Sequence, residues 1–588
     1  MNYLIFSAIF IISLLTLLPS FNLAIYGDTW LSFWRYIQHL GPKSSGEWNN
    51  LTFLLTPYGA QEILVGNLQK IFGYESMYYY ILSFFLRILA AFSFYPLVFY
   101  LTKNKFATFF AVLFFSVTTI GLDTTDWVYN MTSYITIALF NLFLFLFLRS
   151  REKKNFKIFS LACFLYYLSY IIAPVRMHGS ILLIFLLEFL WVLQKRNSET
   201  VKKTFFRLLA IVAIFLFIRF SGQTMGPSTE PIERFTQGIN IATQLLTQGR
   251  FDFLFYPILM LGSLIVPDFI LPNSQVSSWI NLFFILLPFF LLYLVISFFL
   301  IKEITYNQFK NFKKIAILGL TWTIIVAIIH ATNLNTFSDS RNIVLLLVGG
   351  YILILTFSFI IKFYRQTIIS GGLFLGLVWS ILSFFFAWWY LPISIFPTTY
   401  RYFIVSAQGI SILLAVLISL GKEKKHQLTL LTLFSLLLIV NIISIRIYLN
   451  FLLNSHGQEV SNKIWSSLPS VPEIGKSKEP IIFYFEGDPG TENIIHDVLY
   501  FGLPPHIALL YNLREENGSL PIPMTKWEEL ISAITDGRTM PLYGQPVHPI
   551  PVNKIYAFYL KVSPLTLINV TVLAREKLTQ IKSQSESK

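Results

Sequence analysis

Acidic side chains that could do chemistry lie directly beside the apolar segments of this chain. Asp28 follows the first apolar run, and Asp123 and Asp126 belong to the stretch GLDTTDW. A positioned carboxylate can accept a proton from a reacting hydroxyl group, and a spacing of three residues would place Asp123 and Asp126 on one face of a helix. We therefore predict that Asp28 and Asp126 are catalytic and that Asp123 contacts substrate. The alternative for Asp28 is a helix N-cap, and for the other two acids a solvated loop.

Basic residues in other short loops could hold an anion. Arg176 and His178 occur in APVRMHG, Arg341 follows Asp339, and Arg401 lies in FPTTYRYF. The planar guanidinium of arginine matches two phosphate oxygens at once. We predict that Arg176, His178, Arg341 and Arg401 bind substrate. The competing interpretation for the arginines is that they anchor the chain at a membrane surface.

The composition defines the class of protein that must position these residues. The chain has 588 residues, of which 55% are hydrophobic and only 13% are charged, and its mean hydropathy is +0.64. Such a chain is an α-helical polytopic membrane protein. Its excess of 44 basic over 30 acidic residues lies in short loops between apolar segments, so nucleic acid is not an expected partner. The single cysteine, Cys163, excludes an intrachain disulfide and a thiolate metal cluster.

Hydropathy predicts about thirteen transmembrane helices, the first of them retained and not cleaved as a signal peptide. The apolar segment 253–272 carries three prolines and Asp268, so we predict that it is re-entrant or interfacial. The basic loops 302–314, 362–365 and 421–426 then share one side, which predicts a cytoplasmic N-terminus and an external C-terminus. The predicted spans are 2–25, 77–101, 106–121, 134–148, 158–173, 179–193, 205–221, 279–301, 315–331, 342–361, 366–388, 402–420 and 427–446.

The longer loops all fall on the predicted outer side. In the first, 26–76, the apolar residues of 30–40 and 60–72 recur with a helical period, which predicts two helices lying in the membrane interface. The loop 222–278 contains the re-entrant segment. These loops and the spans form a transmembrane domain, 1–446.

Beyond the last predicted span, shorter apolar runs predict a small soluble α/β domain over 447–588. Its polar end, from about residue 580, is predicted to be disordered. The predicted strands are 480–487, 554–562 and 568–576, and the predicted helices are 491–502 and 525–535.

This plan resembles the integral-membrane glycosyltransferases of the GT-C superfamily, and most closely the branch of protein mannosyltransferases, aminoarabinose transferases and related glycosyltransferase 39-like enzymes. The resemblance is carried by an acid directly after the first span, a large first outer loop, many spans and a soluble C-terminal domain. It implies that Asp28 is the general base or binds the acceptor, and that Asp123 and Asp126 assist in substrate or metal binding. Many members carry two adjacent acids where Gly27 and Thr29 flank Asp28 here.

The resemblance also implies a reaction and its partners. A sugar would pass from a polyprenyl-phosphate donor to a hydroxyl of a protein, lipid or glycan, with inversion, on the extracytoplasmic face of the cell membrane. A divalent cation is possible as a cofactor, with no ligands assigned. Two alternatives remain: a polysaccharide polymerase or ligase, in which a large late loop is expected, and a transporter of lipid-linked sugars, in which internal repeats are expected.

Overall fold

The computed structural model describes most of the chain at the level of backbone and side chains. The described ranges are 2–40, 59–153, 155–195, 197–220, 231–304, 308–332, 337–388, 399–421, 424–468, 481–500, 502–510, 521–535 and 549–586.

Helices form nearly all of the described chain up to residue 456. Their long apolar sequences favour helix because every backbone polar group is then satisfied within the segment. They are α1 (Asn2–Leu17), α2 (Asp28–Leu40), α3 (Gly59–Phe72), α4 (Ser76–Thr102), α5 (Lys105–Ser116), α6 (Asp123–Asp126), α7 (Thr132–Lys153), α8 (Phe156–Ile172), α9 (Ser180–Lys195), α10 (Ser198–Phe220), α11 (Pro231–Thr247), α12 (Tyr256–Ser263), α13 (Trp279–Ile304), α14 (Gln308–Ala331), α15 (Ser340–Lys362), α16 (Thr367–Trp388), α17 (Ile404–Ser419) and α18 (Lys424–His456).

Several of these helices are suited to a bilayer. Within the described ranges, nine are long and apolar enough to cross a membrane, judged by length and composition. This supports the prediction of a multi-pass helical membrane protein. The count of thirteen spans and the orientation stay predictions, because other apolar helices are shorter.

Two segments are too short to cross a bilayer as helices. The predicted span 106–121 is the 12-residue helix α5, which rises about 18 Å. The segment 253–272 contains the eight-residue helix α12 between two 3₁₀ turns, against a hydrocarbon core of about 30 Å. Helix α12 packs on α15 where glycines meet: a Cβ on Gly262 would lie 1.9 Å from the Leu345 carbonyl oxygen. The broken segment is thus held against a neighbouring helix by close backbone packing.

Helix α2 begins where the sequence predicts a helix, but its aromatic face does not lie in the lipid interface. Trp30, Phe33 and Trp34 are only 6%, 0% and 5% exposed, because they pack against protein. Trp30 and Phe33 join a cluster with α4, and Trp34 enters a core formed with the C-terminal residues. Burial in protein therefore replaces the predicted membrane contact as the reason for this apolar stripe.

The C-terminal residues form the predicted α/β unit, beginning later than predicted. Helix α18 continues to His456, ten residues past the predicted boundary. A four-stranded sheet follows with order β2-β1-β3-β4, in which β1 pairs parallel with β2 and β3, and β3 pairs antiparallel with β4. Its elements are α19 (Gln458–Ser467), β1 (Ile482–Gly487), α20 (Glu492–Ile494), α21 (Leu503–Leu510), β2 (Ile522–Met524), α22 (Trp527–Thr535), β3 (Ile555–Lys561), β4 (Thr566–Asn569) and α23 (Thr571–Glu586).

The end of the chain differs from its prediction. The segment 568–576, predicted to be a strand, holds the end of β4 and the start of α23. Helix α23 continues to Glu586, where the polar composition had predicted disorder from about residue 580. Ala574 and Leu578 are buried against the sheet, so one apolar stripe four residues apart anchors a helix whose other residues are polar.

Candidate functional site: a cavity with two arginines and a carboxylate

Five separate parts of the chain meet around one cavity of about 210 Å³. They are the start of α2, the start of α3, the connection from α6 into α7, the connection from α8 to α9, and the segment that precedes α17. The lining residues include two arginines and one carboxylate together with neutral polar and apolar side chains. They are Asp28, Leu31, Ser32, Gln61, Tyr129, Asn130, Ser133, Ala173, Val175, Arg176, Arg401 and Tyr402.

Asp28 is brought to this cavity by a tight turn. It is the first residue of α2 and follows Gly27, whose φ is +60°. The turn is closed by the amide of Trp30, which donates to the Gly27 carbonyl oxygen at 3.1 Å. A Cβ on Gly27 would lie 3.0 Å from the Trp127 ring, so glycine suits both the left-handed backbone and the close approach. The carboxylate also lies at a helix N-terminus, where negative charge is favoured.

The two arginines of the cavity lie over aromatic rings. The Arg401 guanidinium carbon is 4.3 Å from the centre of the Trp127 ring, and that of Arg176 is 4.2 Å from the centre of the Tyr402 ring. Arg176 also donates to neutral partners, the Ser133 hydroxyl at 3.0 Å and the Asn130 side-chain oxygen at 3.2 Å. Asp28 and Asp123 both lie close enough to Arg401 to interact with its charge. Each ring face contacts its guanidinium group in a cation–π interaction and so orients it.

The two acids of α6 have different surroundings. Asp123 is partly exposed and accepts a hydrogen bond from the Tyr448 hydroxyl at 2.8 Å. Asp126 is fully buried, and within the described residues neither of its carboxylate oxygens has a hydrogen-bond partner. Burial raises the pKa of the Asp126 carboxyl well above its usual range, the nearby charge of Asp123 raises that pKa further, and Arg87 opposes both effects. Neither acid of α6 is among the residues that line the cavity.

Arg87 fixes the connection between α5 and α6 by hydrogen bonds. It lies in α4, is completely buried, and donates to the carbonyl oxygens of Ser116 at 3.0 Å and Thr118 at 2.6 Å. A third bond, of 2.8 Å, runs to the Thr125 hydroxyl. These bonds satisfy carbonyls at the end of α5 and tie them to α6. An arginine within a predicted span therefore has a structural role here.

Gly121 completes the support of α6. Its φ is +66°, and a Cβ there would lie 2.3 Å from the backbone nitrogen of Ile404, at the start of α17. The Asp123 amide also donates to the Thr399 carbonyl oxygen at 2.9 Å. The acids of α6 and the segment that carries Arg401 are thus fixed to one another through backbone.

Like Asp123, the predicted substrate-binding residues His178 and Arg341 do not line the cavity. His178 is buried at the turn into α9 and does not line the cavity. Arg341 is at the start of α15, where it pairs with Asp339 at 3.6 Å while the Asp339 carboxylate caps the helix at the Arg341 amide. The structure therefore brings together Asp28, Arg176 and Arg401, with Asp123 and Asp126 beside them.

Other lining residues were not predicted from sequence. Gln61 is buried in α3 and donates to the Tyr129 carbonyl, and Tyr402 supplies the ring under Arg176. The sequence signal for Gln61 is a polar residue in the first turn of an amphipathic helix, and for Tyr402 it is an aromatic residue beside an arginine. Both patterns are common in membrane proteins, so neither is specific enough alone.

Within the part of the chain that the structure describes, no three His, Cys, Asp or Glu side chains are grouped so as to hold a metal ion. The divalent cation that the sequence left possible therefore has no assigned ligands. Neither protein-family models nor curated proteins give a match to this chain.

Proposed function

We propose that this protein transfers a sugar from a polyprenyl-phosphate donor to an acceptor hydroxyl, with the reaction taking place in the cavity. The observation that carries the proposal is that Asp28, Arg176 and Arg401, from three distant parts of the sequence, line one cavity. A carboxylate opposite phosphate-binding cations is what this transfer requires. The resemblance of the chain plan to GT-C glycosyltransferases agrees with the proposal.

In the proposed reaction the phosphate of the donor is held by Arg176 and Arg401. Both guanidinium groups are pre-oriented by aromatic rings, and Arg176 is further fixed by Ser133 and Asn130. Pre-oriented donors stabilise charge that develops on a leaving group, because little reorganisation is needed as the bond breaks. The lipid phosphate would leave with its negative charge facing these two cations.

Asp28 is the proposed general base. Its carboxylate accepts the proton of the acceptor hydroxyl while the hydroxyl oxygen forms a bond to the anomeric carbon. The bond from that carbon to the phosphate oxygen breaks in the same step, so the anomeric configuration inverts. Asp126 does not line the cavity, so this scheme assigns it no step.

In this proposal the polyprenyl tail of the donor lies in the membrane while its phosphate and sugar enter the cavity. Leu31, Ala173 and Val175 give the cavity apolar lining, and the surrounding long apolar helices suit a lipid tail in the bilayer. In this proposal the cavity faces the extracytoplasmic side, because the basic loops are predicted from the sequence to be cytoplasmic.

The test replaces Asp28 by Asn, which keeps the size of the side chain and removes the base. We expect sugar transfer from a polyprenyl-phosphate sugar, measured in purified protein in lipid nanodiscs, to fall about 10²- to 10⁴-fold. Donor binding, measured by calorimetry, should change little. The matched control is Asp488→Asn, in the loop after β1, where the carboxylate accepts from Tyr559 far along the chain from α2.

Transfer at the wild-type rate by Asp28→Asn would contradict the role of Asp28. Absence of transfer by the wild-type protein with a panel of lipid-phosphate sugars, together with flip of those lipids across a vesicle membrane, would favour a transporter instead.

A further inference from the structure

The C-terminal unit is packed onto the helix that carries Asp28. Trp34 of α2 belongs to the same apolar core as Ile481 and Phe483 of the C-terminal sheet. Two further residues of α2, Trp30 and Phe33, are also buried, in the neighbouring cluster that includes α4. One helix of the predicted transmembrane domain is thus shared by both parts of the molecule.

A ring stack forms the centre of this contact. The ring of His506, at the start of α21, lies 3.8 Å from the Trp30 ring at an angle of 13°. Its other neighbour is the Trp465 ring of α19, also 3.8 Å away and tilted by 52°. Burial lowers the pKa of His506 to about 3, so the ring is neutral at physiological pH and packs as an aromatic side chain.

The chain before Asp28 is tied to the same region through backbone. The Ala24 amide donates to the His456 carbonyl oxygen at 2.7 Å, and Leu23 forms an antiparallel bridge with Gly457. The Gln458 side chain donates to the Phe21 carbonyl oxygen at 3.3 Å. Residues on both sides of Asp28 are therefore fixed by the end of α18 and the C-terminal unit.

We propose that His506 is a positioning residue for Asp28. His506 stacks on Trp30 and contacts Trp465, and through these contacts the C-terminal unit fixes the position of the Asp28 carboxylate in the cavity. Trp30 is two residues from Asp28 in the first turn of α2, so a shift of one moves the other. An error of about 1 Å in the position of a catalytic group can cost about 10²-fold in rate. This inference rests on the proposed function for its catalytic consequence, but its structural consequence is independent of it.

The experiment uses three variants of the full-length protein in nanodiscs. His506→Ala removes the stacked ring, His506→Phe keeps an aromatic ring without its nitrogens, and His496→Ala removes an exposed histidine of the same unit. Hydrogen exchange of the amides of 28–40 is measured by mass spectrometry, with kcat and donor KM measured for sugar transfer. For His506→Ala we expect faster exchange in 28–40 and a roughly tenfold lower kcat at unchanged donor KM. His506→Phe should restore both, and His496→Ala should alter neither.

The two readouts separate the two proposals. Unchanged exchange of 28–40 in His506→Ala, or failure of His506→Phe to restore it, would overturn the positioning role whether or not transfer is observed. Faster exchange in His506→Ala with kcat unchanged would also overturn it, since the helix would then move without consequence for Asp28. Absence of transfer in the wild-type protein would refute the proposed function, while the exchange result would still decide whether His506 fixes α2.

Discussion

Arginine and carboxylate side chains lie near both ends of helix α7, but they line a cavity at one end and pair with one another at the other. At its start, Arg176 donates to Ser133 and Asn130 and lies over the Tyr402 ring. At its end, Arg151 and Arg207 both donate directly to the buried carboxylate of Glu188. We call these regions the cavity end and the ion-pair end.

The two ends differ in the partners of their charged side chains and in the size of the cavity beside them. The ion-pair end is closed: Glu188 is 1% exposed and accepts from Thr204 as well as from the two arginines, and Arg207 also donates to Ser150 and to the Phe147 carbonyl oxygen. The cavity beside it has only about 30 Å³, against about 210 Å³ at the cavity end. At the ion-pair end the charges of Glu188, Arg151 and Arg207 are paired with one another. At the cavity end the charges line an open cavity, where they can contact a bound ligand.

The largest expected effect is on the ion-pair end. Glu188→Ala would leave Arg151 and Arg207 buried without their shared carboxylate, a change that typically costs about 3–5 kcal/mol. We expect a large drop in the thermal unfolding midpoint of the detergent-solubilised protein. Asp28→Asn is the control, because the loss of a partly exposed charge at a helix N-terminus costs about 0.3–2 kcal/mol. Equal destabilisation by both changes would contradict the distinction between the two ends.

The next largest effect concerns the backbone of the cavity end. Gly121→Ala would force a Cβ against Ile404 in a left-handed conformation, for which overpacking costs about 1–3 kcal/mol and the left-handed backbone about 1–2 kcal/mol. Gly73→Ala is a matched control, since Gly73 has a φ of +60° but no neighbour within 4 Å of the added Cβ. Thermal unfolding should show a clearly greater loss for Gly121→Ala. Similar losses in the two variants would mean that the close approach to α17 is unimportant.

Arginine substitutions give a smaller effect and test the cavity directly. Arg176→Lys and Arg401→Lys keep the charge but lose the planar guanidinium and its stacking. A lost charged hydrogen bond costs about 1.5–3 kcal/mol, so affinity for a polyprenyl-phosphate donor should fall about 10- to 150-fold by calorimetry. Arg341→Lys is the comparison, because Arg341 pairs with Asp339 away from the cavity. Equal weakening by Arg341→Lys would extend the site to α15.

The smallest expected effect is a dependence on pH. Because burial raises the pKa of Asp126, its protonated form is favoured in the folded protein. Its contribution to stability is therefore greatest below the pKa of an unfolded aspartate and is lost as pH rises towards the folded value. Asp126→Asn should remove this loss, so its unfolding midpoint should vary less with pH than that of the wild type. An unchanged pH profile would indicate that Asp126 is not the group responsible.

Much of the local structure could be predicted from the sequence. Asp28 marks the start of a helix because an acid follows an apolar run and precedes a helical stripe of aromatic residues. The strands near 482 and 555 follow from their β-branched and aromatic content. At the end of the chain the predicted lengths of the elements were wrong. The strand near 568 is shorter than predicted, and helix α23 continues through polar sequence because a few apolar residues on one face anchor it.

The sequence alone determined the class of the molecule and the presence of charged residues beside its apolar helices, because hydropathy and helical period depend only on neighbouring residues. Only the tertiary structure decided which of those charges meet. Arg176 and Arg401 line the same cavity as Asp28, whereas Arg341 and His178 do not. Glu188 of α9 pairs with Arg207 of α10. Such contacts join residues far apart in the chain, and they depend on how helices pack, which periodicity in one segment does not encode.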